Sequence, residues 1–221
     1  MLQLINLSIG YTASLVRSID AVLHRGDFVC LVGRNGCGKS TLLKTIAALT
    51  PPLSGQLQFP AGMSPARHVG IVLTQVPDLS HTTVFELVAY GRLPHQGILA
   101  TLRPTDLTAI NQAITTVGID HLRDRITSQL SDGEKQKVMI ARALAQGSDV
   151  LLLDEPSAFL DYPSKNELMQ LLRSIAHSTG KIVLLSTHDI DMAKRYAHAI
   201  WHIKGQHLHV VAPEEFNADD I

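Results

Sequence analysis

Cysteine is nearly absent from this chain. The two that occur in 221 residues, Cys30 and Cys37, sit at no metal-like spacing, and their scarcity suits a reducing compartment rather than a disulfide framework. Net charge is also scarce. Nineteen Lys and Arg against 20 Asp and Glu leave −1, which gives no support for a nucleic-acid partner. No apolar run reaches the roughly 20 residues needed to span a bilayer. The first residues show no basic stretch followed by an apolar core, so no signal peptide is expected, and the reading is of a soluble or peripheral protein. Internal repeats and low-complexity tracts are missing. What remains is a chain 45% hydrophobic, enough for one sizeable α/β domain with room for an inserted subdomain.

One stretch organises the rest. Gly33-Arg34-Asn35-Gly36-Cys37-Gly38-Lys39-Ser40-Thr41 fits Gly-x-x-x-x-Gly-Lys-Ser, a loop that cradles phosphates. The apolar run Phe28-Val29-Cys30-Leu31-Val32 before it reads as a buried strand. Ser40 to Leu49 after it reads as a helix, stopped by Pro51-Pro52. Glycines let the backbone curl so that N–H groups point at an anion. The new helix adds the positive end of its dipole, Lys39 adds a mobile charge for the β- and γ-phosphates, and Ser40 offers a hydroxyl to Mg²⁺.

Leu2, Leu4, Leu7 and Ile9 form an imperfect strand pattern before Gly10, and a second strand is expected from about Ser18 to Leu23. A short strand follows at Leu53 to Phe59, then loop, then an apolar strand from His68 to Leu73. From 76 to 148 the pattern turns helical: Thr83 to Tyr90, Thr105 to Val117 and Glu134 to Ala145. Strand character returns at Val150 to Leu153, followed by a helix from Ser164 to Ala176, a strand from Lys181 to Ser186 and a helix from Ile190 to Tyr196. A hairpin joined at Lys204-Gly205 closes the pattern. Strands that alternate with helices point to a parallel sheet. In such sheets ligands sit at the C-terminal strand ends, where Asp154-Glu155 falls directly after four apolar residues. One acid there can hold Mg²⁺ and the other can polarise an attacking water. His202, His207 and His209 in the hairpin could suggest a metal, but hairpin histidines are usually solvated.

Gly33 to Thr41, Gln75, Leu130-Ser131-Asp132-Gly133-Glu134, Leu151 to Pro156, Ser157 to Asp161 and His188 occur in the order that marks the ATP-binding cassette (ABC) ATPases, and the chain resembles one cassette over nearly all its length. The fold implied is α/β: a P-loop NTPase core with a mainly parallel sheet, an N-terminal antiparallel β part and an inserted helical subdomain. Residues 1–75 and 149–221 would form the nucleotide-binding core and 76–148 the helical subdomain. The resemblance implies that Tyr11 stacks on adenine, and that Gln75 touches Mg²⁺ or the attacking water and signals to a partner. It makes Glu155 the general base and His188 a contact to the γ-phosphate. Ser131 and Gly133 would bind the γ-phosphate held by a second copy, and Asp161 would lie at that interface. ATP and Mg²⁺ are the implied ligands.

The usual signature of the family is Leu-Ser-Gly-Gly-Gln. Here Asp132 and Glu134 put carboxylates near a phosphate, so neither is expected to touch it, although both suit the helix dipole. Ser131 and Gly133 remain, and a working site is expected. Cys37 stands where a small residue is needed; the sharper alternative is a thiol made reactive by Lys39 and the helix N-terminus. Thr83 to His95, with Gly91-Arg92 and Pro94-His95 as its specific part, resembles a segment typical of ATPases of iron–siderophore, haem and cobalamin importers. Such a protein would pair with itself, dock on a membrane permease at the cytoplasmic face and work with a separate substrate-binding protein. An exporter ATPase, another importer class and a non-transport cassette stay open as alternatives.

Overall fold

The computed structural model describes residues 1–74, 81–95 and 101–217. β3 (Phe28–Gly33), β6 (Val150–Asp154) and β7 (Ile182–Ser186) are buried at every position. That is why they read as unbroken apolar runs: a parallel sheet is covered on both faces. They belong to a six-stranded sheet of order β5-β6-β7-β3-β8-β9. β5 (Val69–Val72), β6, β7, β3 and β8 (Ala199–Lys204) pair in parallel, and β9 (His207–Val211) closes the edge antiparallel to β8. Side chains alternate between the two faces. Leu151 and Leu153 enter one core with Val138 and Ile140 of α5 (Asp132–Ala145) and with Leu168 and Leu172 of α6 (Tyr162–Thr179). Val150 and Leu152 enter a second core with Leu42, Leu43 and Ile46 of α1 (Lys39–Ile46). A three-stranded antiparallel sheet, β2-β1-β4, supplies the other wall of that second core.

β1 (Leu2–Gly10) and β2 (Ser14–Leu23) explain the imperfect pattern at the start. Asn6 sits at φ 45° and the register shifts between Leu4 and Leu7. This bulge moves the buried set from even to odd positions. Ser18, at φ 48°, breaks β2 in the same way, so the strand begins four residues before the point where its alternation becomes legible. Other expectations change as well. α1 stops at Ile46 rather than Leu49, because Ala48 turns to φ 57° and Leu49 N–H donates to the Lys44 carbonyl at 2.9 Å. α6 runs past both expected ends, capped by Asp161 in front and by Gly180 behind. A short helix, α2 (Pro65–His68), occupies part of the expected loop before β5. β4 (Ser54–Gln58) and α7 (Ile190–Tyr196) fall where the pattern puts them.

The chain leaves the sheet after β5 and rejoins it beside β5 at β6. α3 (Val84–Ala89), α4 (Pro104–Thr116) and α5 lie between these two strands in sequence. α3 and α5 each start on a capping box: Thr83 with Glu86, and Ser131 with Glu134. Glu86 is held below the ordinary glutamate range, first by the Thr83 backbone N–H and then by the Thr83 side chain. A carboxylate lowered in this way adds stability above its unfolded value, and that contribution disappears as pH falls through its folded value. Glu86→Gln keeps an acceptor for the box but removes the charge. The variant should melt below the parent at neutral pH, and the gap should close as pH falls from the ordinary 4.5 downward, as read by thermal melts across a pH series.

Candidate functional site

The loop between β3 and α1 is built by close contact. Gly33 lies at φ 152°, and a Cβ there would meet Cys37 Sγ and the Ile203 carbonyl oxygen at 2.8 Å each. Gly38, at φ 113°, hands the chain to α1 while Leu15 and Val16 of β2 pack on its bare face. Cys37 N–H donates to the Arg34 carbonyl at 3.3 Å. α1 has no acidic residue in its first turn, so nothing cancels its positive end. Lys39 is buried, and its Nζ donates to the Gly33 and Arg34 carbonyls at 2.9 and 3.2 Å. Arg34, Asn35 and Gly36 are exposed, Cys37 and Ser40 half-buried, and Thr41 buried. Tyr11, 63% exposed, stands in the turn of the β1–β2 hairpin that packs on Gly38. A glycine loop with an ammonium beside it, leading into a helix start, suits an anion.

β7 lies between β3 and β6, and Ser186 pairs with Leu31 on one side and Asp154 on the other. Its hydroxyl donates to Asp154 Oδ1 at 2.7 Å and accepts the Glu155 N–H at 2.9 Å. Thr74 Oγ1 donates to the Asp154 carbonyl at 2.8 Å. Glu155 is held at φ 50°, a conformation costly for a residue with a side chain. The turn aims its carboxylate at His188, whose Nε2 donates to Glu155 Oε1 at 2.7 Å. Both face an open cleft of about 650 Å³ that Lys165 and Asp189 also line. Lys165 Nζ reaches Asp189 Oδ2 at 3.4 Å, tying the His188 loop to α6. Ser186, Thr74 and Lys165 were not singled out from the sequence. Ser186 carried a signal: it is the polar end of an otherwise apolar strand.

Gly133, just behind the Ser131 cap, lies beside the turn that carries Asp161. Ser131 Oγ accepts the Glu134 N–H at 3.3 Å and donates to Glu134 Oε2 at 2.9 Å, while Ser131 N–H donates to the same oxygen at 2.8 Å. The Ser131 backbone N–H is also the main reason that the Glu134 carboxyl lies below its ordinary range; the Ser131 hydroxyl, Arg125 and His121 act the same way. Gly133 faces Leu160 and Ser164, within 4.0 Å of where a Cβ would sit. Asp161 caps α6 through the Ser164 N–H at 3.0 Å; the Ser164 side chain first, and then this N–H, hold its carboxyl below the ordinary range. Phe159 and Tyr162 on either side of Asp161 are 79% and 64% exposed. Gln75 lies outside the described residues. The hairpin histidines divide: His202 is buried edge-on against Phe216, with ring centroids 5.2 Å apart, while His207 and His209 are exposed. Among the described residues no group of three His, Cys, Asp or Glu could hold a metal ion.

Comparison with known proteins is consistent across sequence and structure. The family model described as ABC transporter matches residues 16–158. The achromobactin transport ATP-binding protein of Dickeya dadantii is 39% identical over 200 residues, which span 86% of this chain and 74% of the relative. The ferric enterobactin transport ATP-binding protein of Escherichia coli is 35% identical over 218 residues, spanning 95% and 80%. A solved ABC transporter, described as metal-chelate type and inward-facing, superposes with a TM-score of 0.87 at 27% identity and covers 96% of this chain and 83% of its own. Fold, loop and relatives agree: the chain belongs to the ABC transporter family, as an ATP-binding, ATP-hydrolysing subunit.

Proposed function

We propose that two copies of this chain pair head to tail around two ATP molecules and drive a membrane permease at the cytoplasmic face. The substrate class favoured is an iron complex, siderophore or haem, or cobalamin. The observation that carries the reading is a second helix start, capped by Ser131, beside the turn that carries Asp161. The loop at Gly33 to Thr41 carries the Lys39 ammonium, whereas the start of α5 at Ser131 packs against Leu160 and Ser164 of the Asp161 turn. Asp132 and Glu134 in the first turn of α5 offset the positive end of its dipole, so the Ser131 hydroxyl and the backbone at Gly133 are what would meet the nucleotide of a second copy.

In this arrangement Tyr11 lies against the base, and the N–H groups of 34–41 with Lys39 hold the phosphates. Ser131 and Gly133 of the partner copy close over the γ-phosphate, with Asp161 between the copies. The donor set fits Mg²⁺, a hard cation that prefers oxygen: the Ser40 hydroxyl and the Asp154 carboxylate oriented by Ser186, with Gln75 added from the sequence. When bound, the ion draws charge from the phosphate oxygens. Glu155 takes the proton of the attacking water. His188 steadies that carboxylate through the 2.7 Å bond and faces the γ-phosphate. Residues 1–75 and 149–221 act as the nucleotide-binding core, and 76–148 as the helical subdomain that meets the permease. Solute class is supported by the siderophore-transport relatives and by the Gly91-Arg92-x-Pro94-His95 segment. A separate binding protein would deliver the solute, because the ATPase does not touch it.

Four outcomes test this. Glu155→Gln should form a dimer at saturating Mg-ATP, read by light scattering, and a pull-down from solubilised membranes should recover a multi-span permease. A lone protomer even with permease supplied, or recovery of a ribosome or DNA-repair complex, defeats the proposal. Glu134→Gln should keep ATPase activity within about threefold, since Gln also satisfies a capping box. Maleimide should alkylate Cys37 and block hydrolysis, with ATP protecting; alkylation without inhibition removes any role for that thiol.

A further inference from the structure

The segment 82–95 runs beside α5, bonded at one end to residues 123–127 that lead into the helix and at the other to the last carbonyls of the helix. Near the start of α5, Thr127 N–H donates to the Thr82 carbonyl at 2.9 Å, Val84 N–H to Arg125 at 3.0 Å and Phe85 N–H to Arg123 at 2.9 Å. The Arg123 guanidinium stacks 4.2 Å over the Phe85 ring. This strand-like seam stops just short of Leu130-Ser131. At the far end, Gly91 comes so close that a Cβ would fall 2.1 Å from the Arg142 carbonyl oxygen. Arg92 then spends its planar fork on two partners, Nε on Asp106 Oδ1 and Nη1 on the Ala145 carbonyl, both at 2.8 Å. His95 Nε2 donates to the Gln146 carbonyl at 2.6 Å.

A helix leaves its last carbonyls without intrahelical partners, and here each one can be traced. Arg142 is taken by Gln146 N–H at 3.2 Å, Leu144 by Gly147 N–H at 2.8 Å and Ala143 by Ser148 Oγ at 3.0 Å. Ala145 and Gln146 are left to Arg92 and His95. Gln146 in turn donates its side-chain amide to the Ala66 and Val69 carbonyls at 2.9 and 3.2 Å, at the foot of β5. The Arg92–Asp106 pair is nearly buried, and Asp106 is held below its ordinary range first by the Arg103 backbone N–H and then by Arg92.

We propose that Arg92 and His95 are positioning residues for nucleotide capture: they lock α5 to the 82–95 segment, so that the Ser131–Glu134 corner is held where it can close on a nucleotide. The inference rests on the proposal that this corner meets the nucleotide of a second copy. α5 spans about 21 Å at 1.5 Å per residue, so a clamp at Ala145 and Gln146 acts on Ser131 only through the rigid helix. The seam at 123–127 fixes only the approach to α5; the buried face of the helix packs on the core, and Arg92 and His95 hold its last carbonyls. The Gly-Arg-x-Pro-His segment therefore works inside this chain, as the joint between the segment 82–95 and the signature.

Three variants of the full chain separate this from a general packing role. Arg92→Lys cannot serve Asp106 and Ala145 together. His95→Leu loses the donor to Gln146, and His95→Gln keeps it. Hydrogen exchange of peptides covering 130–137 should rise about tenfold in Arg92→Lys and His95→Leu, the scale of one lost charged or buried hydrogen bond. In a Glu155→Gln background the ATP concentration needed for dimerisation should rise by about the same factor. Affinity for methylanthraniloyl-ADP, which reports the protomer's own loop, should stay within about twofold, and His95→Gln should match the parent throughout. Unchanged exchange at 130–137 overturns the inference. So does an equal loss of methylanthraniloyl-ADP binding, or a His95→Gln variant as impaired as His95→Leu. If the Glu155→Gln parent itself does not dimerise, the pairing proposal falls, while the exchange result still decides whether the clamp holds the corner.

Discussion

The Ser186 hydroxyl ties together the C-terminal ends of the sheet's central strands. It stands on the central strand of three, level with Leu31 and Asp154, and it bonds both the Asp154 carboxylate and the Glu155 N–H. The second bond fixes Glu155 in a left-handed turn at φ 50°. Such a turn costs about 1–2 kcal/mol for a residue with a side chain, and a net hydrogen bond contributes about 1 kcal/mol. The two are of the same size, so the turn persists only because the strands around it leave no other path. Once it persists, one carboxylate faces inward to Ser186 and the next faces His188. Two adjacent acids are thereby separated into two environments, which their sequence alone does not do.

The same sheet decides which loops can meet. β3, β7 and β6 are neighbours, so the glycine loop, the His188 turn and the Asp154-Glu155 turn emerge side by side. α5, between β5 and β6 in sequence, joins the core under β6 through Val138 and Ile140. Its other contribution is a capped helix start, Ser131 to Glu134, that rests against the Asp161 turn. The carboxylate at position 134 has a local purpose. It accepts the Ser131 N–H and hydroxyl, so an acid stands in the signature without having to face a phosphate. The Ser131 hydroxyl is shared with that carboxylate, and in the proposed pairing it would have to turn from Glu134 toward the incoming nucleotide.

Much of this was legible in the residues themselves. The phosphate loop, the buried strands and the bounds of α7 follow from local spacing, because one buried face imposes its period on the chain. The bounds that moved have two causes: Ser18 in β2 and Ala48 after α1 adopt conformations that no pattern announces, while α6 outruns its apolar spacing to reach the caps at Asp161 and Gly180. The Gly91-Arg92-x-Pro94-His95 segment was legible as a resemblance, not as a mechanism. Its bonds to Ala145 and Gln146 cross more than fifty residues of chain, so no local period encodes them.

The sequence by itself determined the fold class, the order of strands and helices, the phosphate loop and the acids at the strand end, since each of these depends on neighbours within a few residues. Only the tertiary structure decided that Ser186 orients Asp154, that His188 meets Glu155 and that Arg92 and His95 close the signature helix. Those contacts join side chains brought together by parallel strand pairing and helix packing, and hydrogen bonds of under 3 Å need positions that spacing along a chain cannot specify.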